Sequence, residues 1–497
     1  MTETPTARID AHTLADIDRS LVRGVAWMGL IKWSGQIVAW LSTMVVLRLL
    51  SPYDYGLVGM ATLYLGFLTA VSEFGIGAAI VTLRTLPDEH IRQINTVSVI
   101  FGSVGYLLSC ALAKPIGAFF HRRELPLVIV VLSTTFVIAS FRSVPWALLQ
   151  RDMRFKRVAA FEGVQVVVLA IASVAFAALG LRYWTLVIAS VLSSLITTGF
   201  ALTLHRVAFA RPKWGELRRA LSFSREVIVQ RIAWYTYSNA DFFVAGRVLG
   251  VEPLGAYEAG WTLANTPIDK IGTLVLQVTP SILSAVQSDR TAVARYVLAL
   301  TEGIAVVLFP LLIGLAIVAP EFVPLAIGPQ WRAMILPLQL LSVYSCFRCI
   351  LPLLAQVLMI TGDEKFASHN MILGALIMPV AFYAGSKLGG VTGIALAWVL
   401  VHPLLAFRLC RRALGRLGIG AIPFMRSLWP AVSGCLLMSA AVFATRAACP
   451  GMWPTVVRLL LEVSIGVIAY AATLLGPHHR RVNELRTFVT TMRATRV

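Results

Sequence analysis

Five basic side chains stand inside stretches apolar enough to cross a bilayer: Lys32, Arg142, Arg231, Lys270 and Arg348. A cation at bilayer depth costs several kcal/mol unless it meets water or an opposite charge, so these residues point to a polar interior rather than a lipid-facing surface. The stretch from Ser222 to Gly250 carries the signal most densely. At helical spacing Arg231, Tyr235, Ser238 and Phe242 share one face, with Trp234, Tyr237, Asn239 and Asp241 alongside. An earlier stretch places Gln36 and Trp40 on the face of Lys32. Guanidinium and ammonium groups bind anions, arginine in a planar fork that matches phosphate or carboxylate oxygens. Aromatic rings beside them, here Trp40, Trp234 and Tyr235, can stack on flat or ring-shaped ligands such as sugars. Four acids within spans, Glu73, Asp241, Glu258 and Asp269, are candidates for exchanging a proton or ion. Glu162, Glu226, Glu302 and Arg458 lie near the ends of apolar runs, where snorkelling to the interface is the plainer reading.

Four of the five cations come in pairs. Arg48, Leu50 and Gly56 of RLLSPYDYG stand 199 positions before Arg247, Leu249 and Gly255 of RVLGVEPLG, an offset that also sets Lys32 opposite Arg231. At an offset of 206, Phe141, Arg142, Leu148, Gln150 and Met153 match Phe347, Arg348, Leu354, Gln356 and Met359. Two matches in the same order predict two homologous halves, an arrangement common in transporters.

The elements that must position these residues are membrane helices. The chain has 497 residues, is 58% hydrophobic and 13% charged, and has a mean hydropathy of +0.79, a balance outside the range of soluble globular domains. Apolar runs predict fourteen spans, and an all-α polytopic fold. Six lie in an N-lobe at 24–204, near 24–47, 56–83, 93–113, 125–148, 158–179 and 183–204. Six more lie in a C-lobe at 224–410, near 224–249, 254–283, 296–318, 335–360, 367–386 and 391–407. Two extra helices fall within 411–475, near 428–445 and 455–475; without them the count is twelve. Basic residues concentrate in segments 149–157, 205–225 and 408–427 and in the tail 476–497, which predicts that these face the cytoplasm together with an N-terminal tail at 1–23. The segment 205–223 is the natural linker, and a central cleft is expected between the lobes. The net charge of +19 is explained by this loop placement and predicts no nucleic-acid partner.

Catalytic chemistry finds little support. No H-E-x-x-H, P-loop or G-x-S-x-G occurs, and Asp16-Ile17-Asp18 stands alone in the polar N-terminal segment. Cys346 and Cys349 form a C-x-x-C inside an apolar helix, where packing is the simpler reading, so no metal site is expected. No soluble domain fits in any loop, which disfavours an enzyme.

The stretch LRLLSPYDYGLVGMA at 47–61, EFGIGAAI at 73–80, LLQRDMRF at 148–155 and IGPQW at 327–331 together resemble Wzx-type polysaccharide flippases. These belong to the multidrug/oligosaccharidyl-lipid/polysaccharide (MOP) exporter superfamily, and the resemblance is nearest to its exopolysaccharide members. It implies two six-helix lobes around a central cavity and alternating access. It also implies transport of an undecaprenyl-diphosphate-linked oligosaccharide from the inner to the outer leaflet of a bacterial inner membrane, for exopolysaccharide or lipopolysaccharide synthesis. No cofactor is implied beyond an ion or proton gradient or the membrane potential. The polysaccharide polymerase and chain-length machinery are the expected protein partners. A membrane polymerase or ligase for the same glycans, a lipid II flippase, and a MATE-like exporter are the alternatives, the last being poorly suited to a cationic cavity.

Overall fold

The computed structural model describes residues 35–72, 87–152, 155–213, 225–272, 279, 289–448, 453–481, 483, 484 and 487. Lys32 and Glu73 lie outside them. Every regular element among the described residues is helical. Contacts divide the chain into two units, one of residues 1–50 with Tyr64–Glu226, the other of Ser51–Leu63 with Val227–Val497. Nine helices are long and apolar enough to cross a bilayer among the described residues, or ten if the bent pair Gly35–Leu49 and Pro52–Thr69 counts as one.

The first unit contains α1 (Gly35–Leu49), the later part of α2 (Pro52–Ser72), α3 (Asp88–Phe119), α4 (Leu125–Arg151), α5 (Phe155–Ala178) and α6 (Trp184–Leu204). Its polarity is inverted relative to a soluble bundle. On α3 the large apolar side chains Ile100, Val104 and Leu107 face outward, while Gln93, Asn95, Ser98 and Ser109 are buried. Lipid tails are as apolar as leucine, so helices associate through close packing and hydrogen bonds between small polar residues. Ser98 donates to the Ser140 carbonyl at 3.1 Å, Thr198 to the Ile138 carbonyl at 3.2 Å, and a Cβ at Gly102 would crowd Ser140. The chain leaving α6 has no regular structure at 205–213, and α3 holds it by hydrogen bonds. Asn95 Nδ2 donates to the Val207 carbonyl at 3.1 Å, and Thr96 Oγ1 donates to the Ala210 carbonyl at 2.8 Å. The first part of the expected linker is therefore docked to α3.

The second unit begins with the start of α2. It continues through α7 (Arg225–Val244), α8 (Val251–Pro267), α9 (Arg290–Phe322), α10 (Ile335–Arg348) and α11 (Leu351–Ile360). It ends with α12 (Glu364–Leu400), α13 (His402–Leu417), α14 (Ala421–Ala448) and α15 (Thr455–Leu475). One π-helical turn, Ala245–Leu249, follows α7, and another, Ile268–Gly272, follows α8. α12 has two arms folded back on each other at Gly389 and Gly390, the latter at φ 59°, which favours glycine. The arms touch backbone to backbone at Gly385 and Gly393, where the expected break between 367–386 and 391–407 lies.

α14 and α15 pack against each other and against α9. Arg446 of α14 and Arg458 of α15 each bind both Glu321 of α9 and Glu462 of α15, at 2.8 to 3.1 Å. The Glu462 side chain is fully buried. Arg458 does not simply snorkel, as its place near a helix end suggested. Two acids a helix apart draw it and Arg446 into one network, and that convergence depends on tertiary packing.

Candidate functional site

The stretch LSPYDYG is a helix start. Ser51 Oγ accepts from the Asp54 N–H at 3.3 Å and the Ser51 N–H donates to Asp54 Oδ2 at 3.0 Å, a reciprocal cap with Pro52 at the first helical position. Helix α2 therefore begins at Pro52, not near residue 56. Tyr55 stands edge-on to Trp331 at 5.4 Å, so two motifs remote in sequence meet in the second unit, with Trp331 wholly buried. Gly56 and Gly255 lie against each other's helices without room for a Cβ. One turn further, Glu258 Oε2 is buried against Gly59 with no hydrogen-bond partner among the described residues.

The second unit also forms a half-open chamber of about 720 Å³ between α7, α8, α10, α11, α12 and α13. Trp398 of α12 is the centre of its aromatic wall, with ring centroids 5.5 Å from Trp261, 5.0 Å from Tyr344 and 5.4 Å from His402. The buried Asp241 orients that wall. Its Oδ2 accepts from Tyr257 at 2.7 Å and from Trp398 Nε1 at 3.0 Å, so carboxylate, phenol and indole fix one another. His402 and Tyr237 are hydrogen-bonded beside them, and Gly374 leaves room for the Tyr237 ring. Arg348, the last residue of α10, donates to Asn265 Oδ1 and lies 5.0 Å over the Trp261 ring. Two contacts aim the guanidinium before any ligand arrives. Ser238, Asn239, Ser368 and Asn370 add hydroxyl and amide groups, and Glu364 adds one carboxylate to the lining.

Of the sequence-predicted residues, Arg348, Trp234 and Asn239 line the chamber, and Asp241 supports its wall. Arg231 is half-buried on α7 outside the lining, and Tyr235 of the same helix donates to the Leu63 carbonyl at 2.6 Å. Lys270 and Asp269 are exposed in the π turn after α8. Arg142 belongs to the first unit, donating to Thr197 Oγ1 at 2.7 Å and lying 6.0 Å over Phe161. Gln36 is half-buried and Trp40 exposed on α1. Arg142 and Arg348, 206 positions apart, share a pattern, a hydrogen-bonded guanidinium on an aromatic face, in separate units.

Residues 45–336 match a family model described as polysaccharide biosynthesis protein, which is more than half of the chain. The chain belongs to that family. The chain is 23% identical over 369 residues to lipopolysaccharide biosynthesis protein WzxC of Escherichia coli (strain K12), covering 72% of this chain and 73% of that protein. Its fold resembles the lipid II flippase MurJ in an inward closed conformation, with a TM-score of 0.74 at 12% identity, covering 92% of this chain and 100% of the other. It also resembles an inward-facing multidrug resistance MATE transporter of the MOP superfamily, with a TM-score of 0.60 at 15% identity over 77% of this chain and 94% of that one. The protein is thus a multi-pass membrane protein by its long apolar helices, and it shares its fold with the lipid II flippase and MATE transporter structures.

Sequence reasoning missed Trp261, Tyr344, Trp398 and His402, four chamber residues. A signal existed. Tyr344 with Arg348 and Trp261 with Asn265 are each four residues apart and share one helix face, and Trp398 with His402 has the same spacing across the short break between α12 and α13. Within apolar spans a polar group under an aromatic on one face marks a side turned from lipid.

Proposed function

We propose that this protein flips an undecaprenyl-diphosphate-linked oligosaccharide unit from the inner to the outer leaflet of the bacterial inner membrane by alternating access, for exopolysaccharide or lipopolysaccharide synthesis. The observation that carries the reading is Arg348, held by Asn265 and Trp261 at the wall of an aromatic chamber. A diphosphate brings about two negative charges, and a guanidinium fork offsets their desolvation through bidentate hydrogen bonds. Indole and phenol rings offer faces to the apolar sides of sugar rings, and the neighbouring serines and asparagines offer partners to sugar hydroxyls. Similarity to a protein named for lipopolysaccharide biosynthesis supports the glycan substrate.

In this reading the sequence-predicted cations Arg142, Arg231, Lys32 and Lys270 serve as further anion contacts during transport, and both termini face the cytoplasm. The lobes are residues 24–204 and 224–410. The polymerase and chain-length machinery take up the product. The direct test is a proteoliposome assay with a fluorescent lipid-linked oligosaccharide, in which a membrane-impermeant quencher reports which leaflet holds the sugar. Protein-dependent exchange between leaflets is expected. Sugar-chain elongation without exchange would instead establish a polymerase.

A further inference from the structure

Helix α13 crosses from one solvent to another within three turns. Leu400 at the end of α12, then Leu404 and Phe407 on α13, are each about two-thirds exposed, the condition of side chains that face acyl chains. Arg408, Arg411, Arg412 and Arg416 follow immediately, all exposed. With a rise of about 1.5 Å per residue, Arg408 is roughly 6 Å beyond Leu404, so the cluster begins where acyl chains give way to headgroups.

The four arginines are not a loose basic surface. With Phe366 and Gly415 they line a concavity of about 570 Å³. Asp363, in the short connection between α11 and α12, accepts from the Nε of both Arg412 and Arg416, the latter at 2.8 Å. The Arg412 guanidinium also lies 5.4 Å over the Phe366 ring. These contacts hold two forks in place, while among the described residues Arg408 and Arg411 meet no carboxylate. One carboxylate against four guanidiniums leaves an excess of three positive charges around the hollow.

We propose that this hollow binds the phosphate of an anionic phospholipid headgroup, with the acyl chains lying along Leu404 and Phe407. Arginine forks match phosphate oxygens, and a juxtamembrane basic cluster draws anionic lipid. The site is separate from the chamber and does not depend on what the chamber carries. The alternative is a topological role, in which the arginines retain a loop on one side of the membrane and bind nothing.

The test is native mass spectrometry of the purified full chain in detergent, with phosphatidylglycerol or phosphatidylcholine added. The parent protein should retain phosphatidylglycerol several-fold more than phosphatidylcholine. The double variant Arg408→Gln/Arg411→Gln should lose that preference, with its thermal midpoint unchanged because both side chains are exposed. Arg408→Lys/Arg411→Lys should retain part of it, since charge remains while the fork is lost. Equal retention of both lipids, or full retention by the glutamine variant, would overturn the site. Displacement of the phospholipid by inorganic diphosphate at millimolar concentration, or preferential retention of undecaprenyl diphosphate, would overturn the assignment to a phospholipid headgroup.

Discussion

Gly56 of α2 and Gly255 of α8 are each other's steric limit. A Cβ on Gly56 would overlap the Val251 carbonyl oxygen, and a Cβ on Gly255 would overlap the Pro52 carbonyl oxygen. Pro52 and Val251 are themselves separated by the repeat offset, so the contact is reciprocal, as at a two-fold axis. The matching glycines thus have a physical reason, which is the backbone-to-backbone crossing of α2 and α8. Gly255→Ala should force the helices apart and lower stability by about 1–3 kcal/mol, the usual range for overpacking. Gly303→Ala, at a helical position with open space around it, should be neutral or stabilising by up to about 1 kcal/mol. Thermal midpoints in detergent decide the matter, and equal midpoints for both variants would contradict the crossing.

Arg348 offers the most direct test of anion binding. Arg348→Gln should abolish flipping while the protein still inserts and elutes as a folded species, because its own partners, Asn265 and Trp261, are neutral. A buried ion pair predicts the opposite pattern, since breaking one typically costs about 3–5 kcal/mol and reduces folded yield. Arg348→Lys should retain partial transport. Normal flipping by the glutamine variant would sink the phosphate role of this residue.

Glu258 is the acid best placed for energy coupling. Its Oε2 is buried beside Gly59 with no hydrogen-bond partner among the described residues, one turn from the Gly56 and Gly255 crossing, so a change in its charge acts directly on packed backbone. Glu258→Gln should alter how transport depends on pH or sodium. Asp241→Asn should act mainly on stability, because Asp241 accepts from both Tyr257 and Trp398. If amide or alanine variants at Glu258, Asp241, Asp269 and Glu73 all keep the parent's pH and sodium dependence, carboxylate coupling is wrong.

Asp363 gives a pH signature. Hydrogen bonds from Arg416 and Arg412 hold its carboxyl well below the usual carboxylate range. A carboxyl lowered in the folded state stabilises the fold above its unfolded pKa of about 3.9 and loses that contribution as pH falls through the folded value. Asp363→Asn should therefore lower the thermal midpoint at pH 7, and the gap from the parent should shrink as pH falls below about 4. A constant gap across that range would show that the aspartate acts through shape rather than charge.

The membrane class, the approximate positions of most described helices and the broad family were legible in the sequence because they depend on local quantities. Long apolar runs must become helices in lipid, where every backbone polar group has to be satisfied within the segment. Cap residues such as Ser51 and Asp54 act within one turn, and the two repeat offsets are visible in the order of residues. The intramembrane cations were equally visible as costly groups that need a reason. Their partners were not. Arg348 meets Asn265 and Trp261, Asp241 meets Trp398, and Arg458 joins Glu321, and each meeting spans different helices. Periodicity tells which residues share a helix face but not which helix that face meets. An apolar helix has many lipid-compatible faces of nearly equal hydrophobicity, and only the packing of glycines, small hydroxyls and ion pairs across helices selects one. The tertiary structure therefore decided which of the predicted cations among the described residues shares a chamber with the aromatics, and that residue is Arg348.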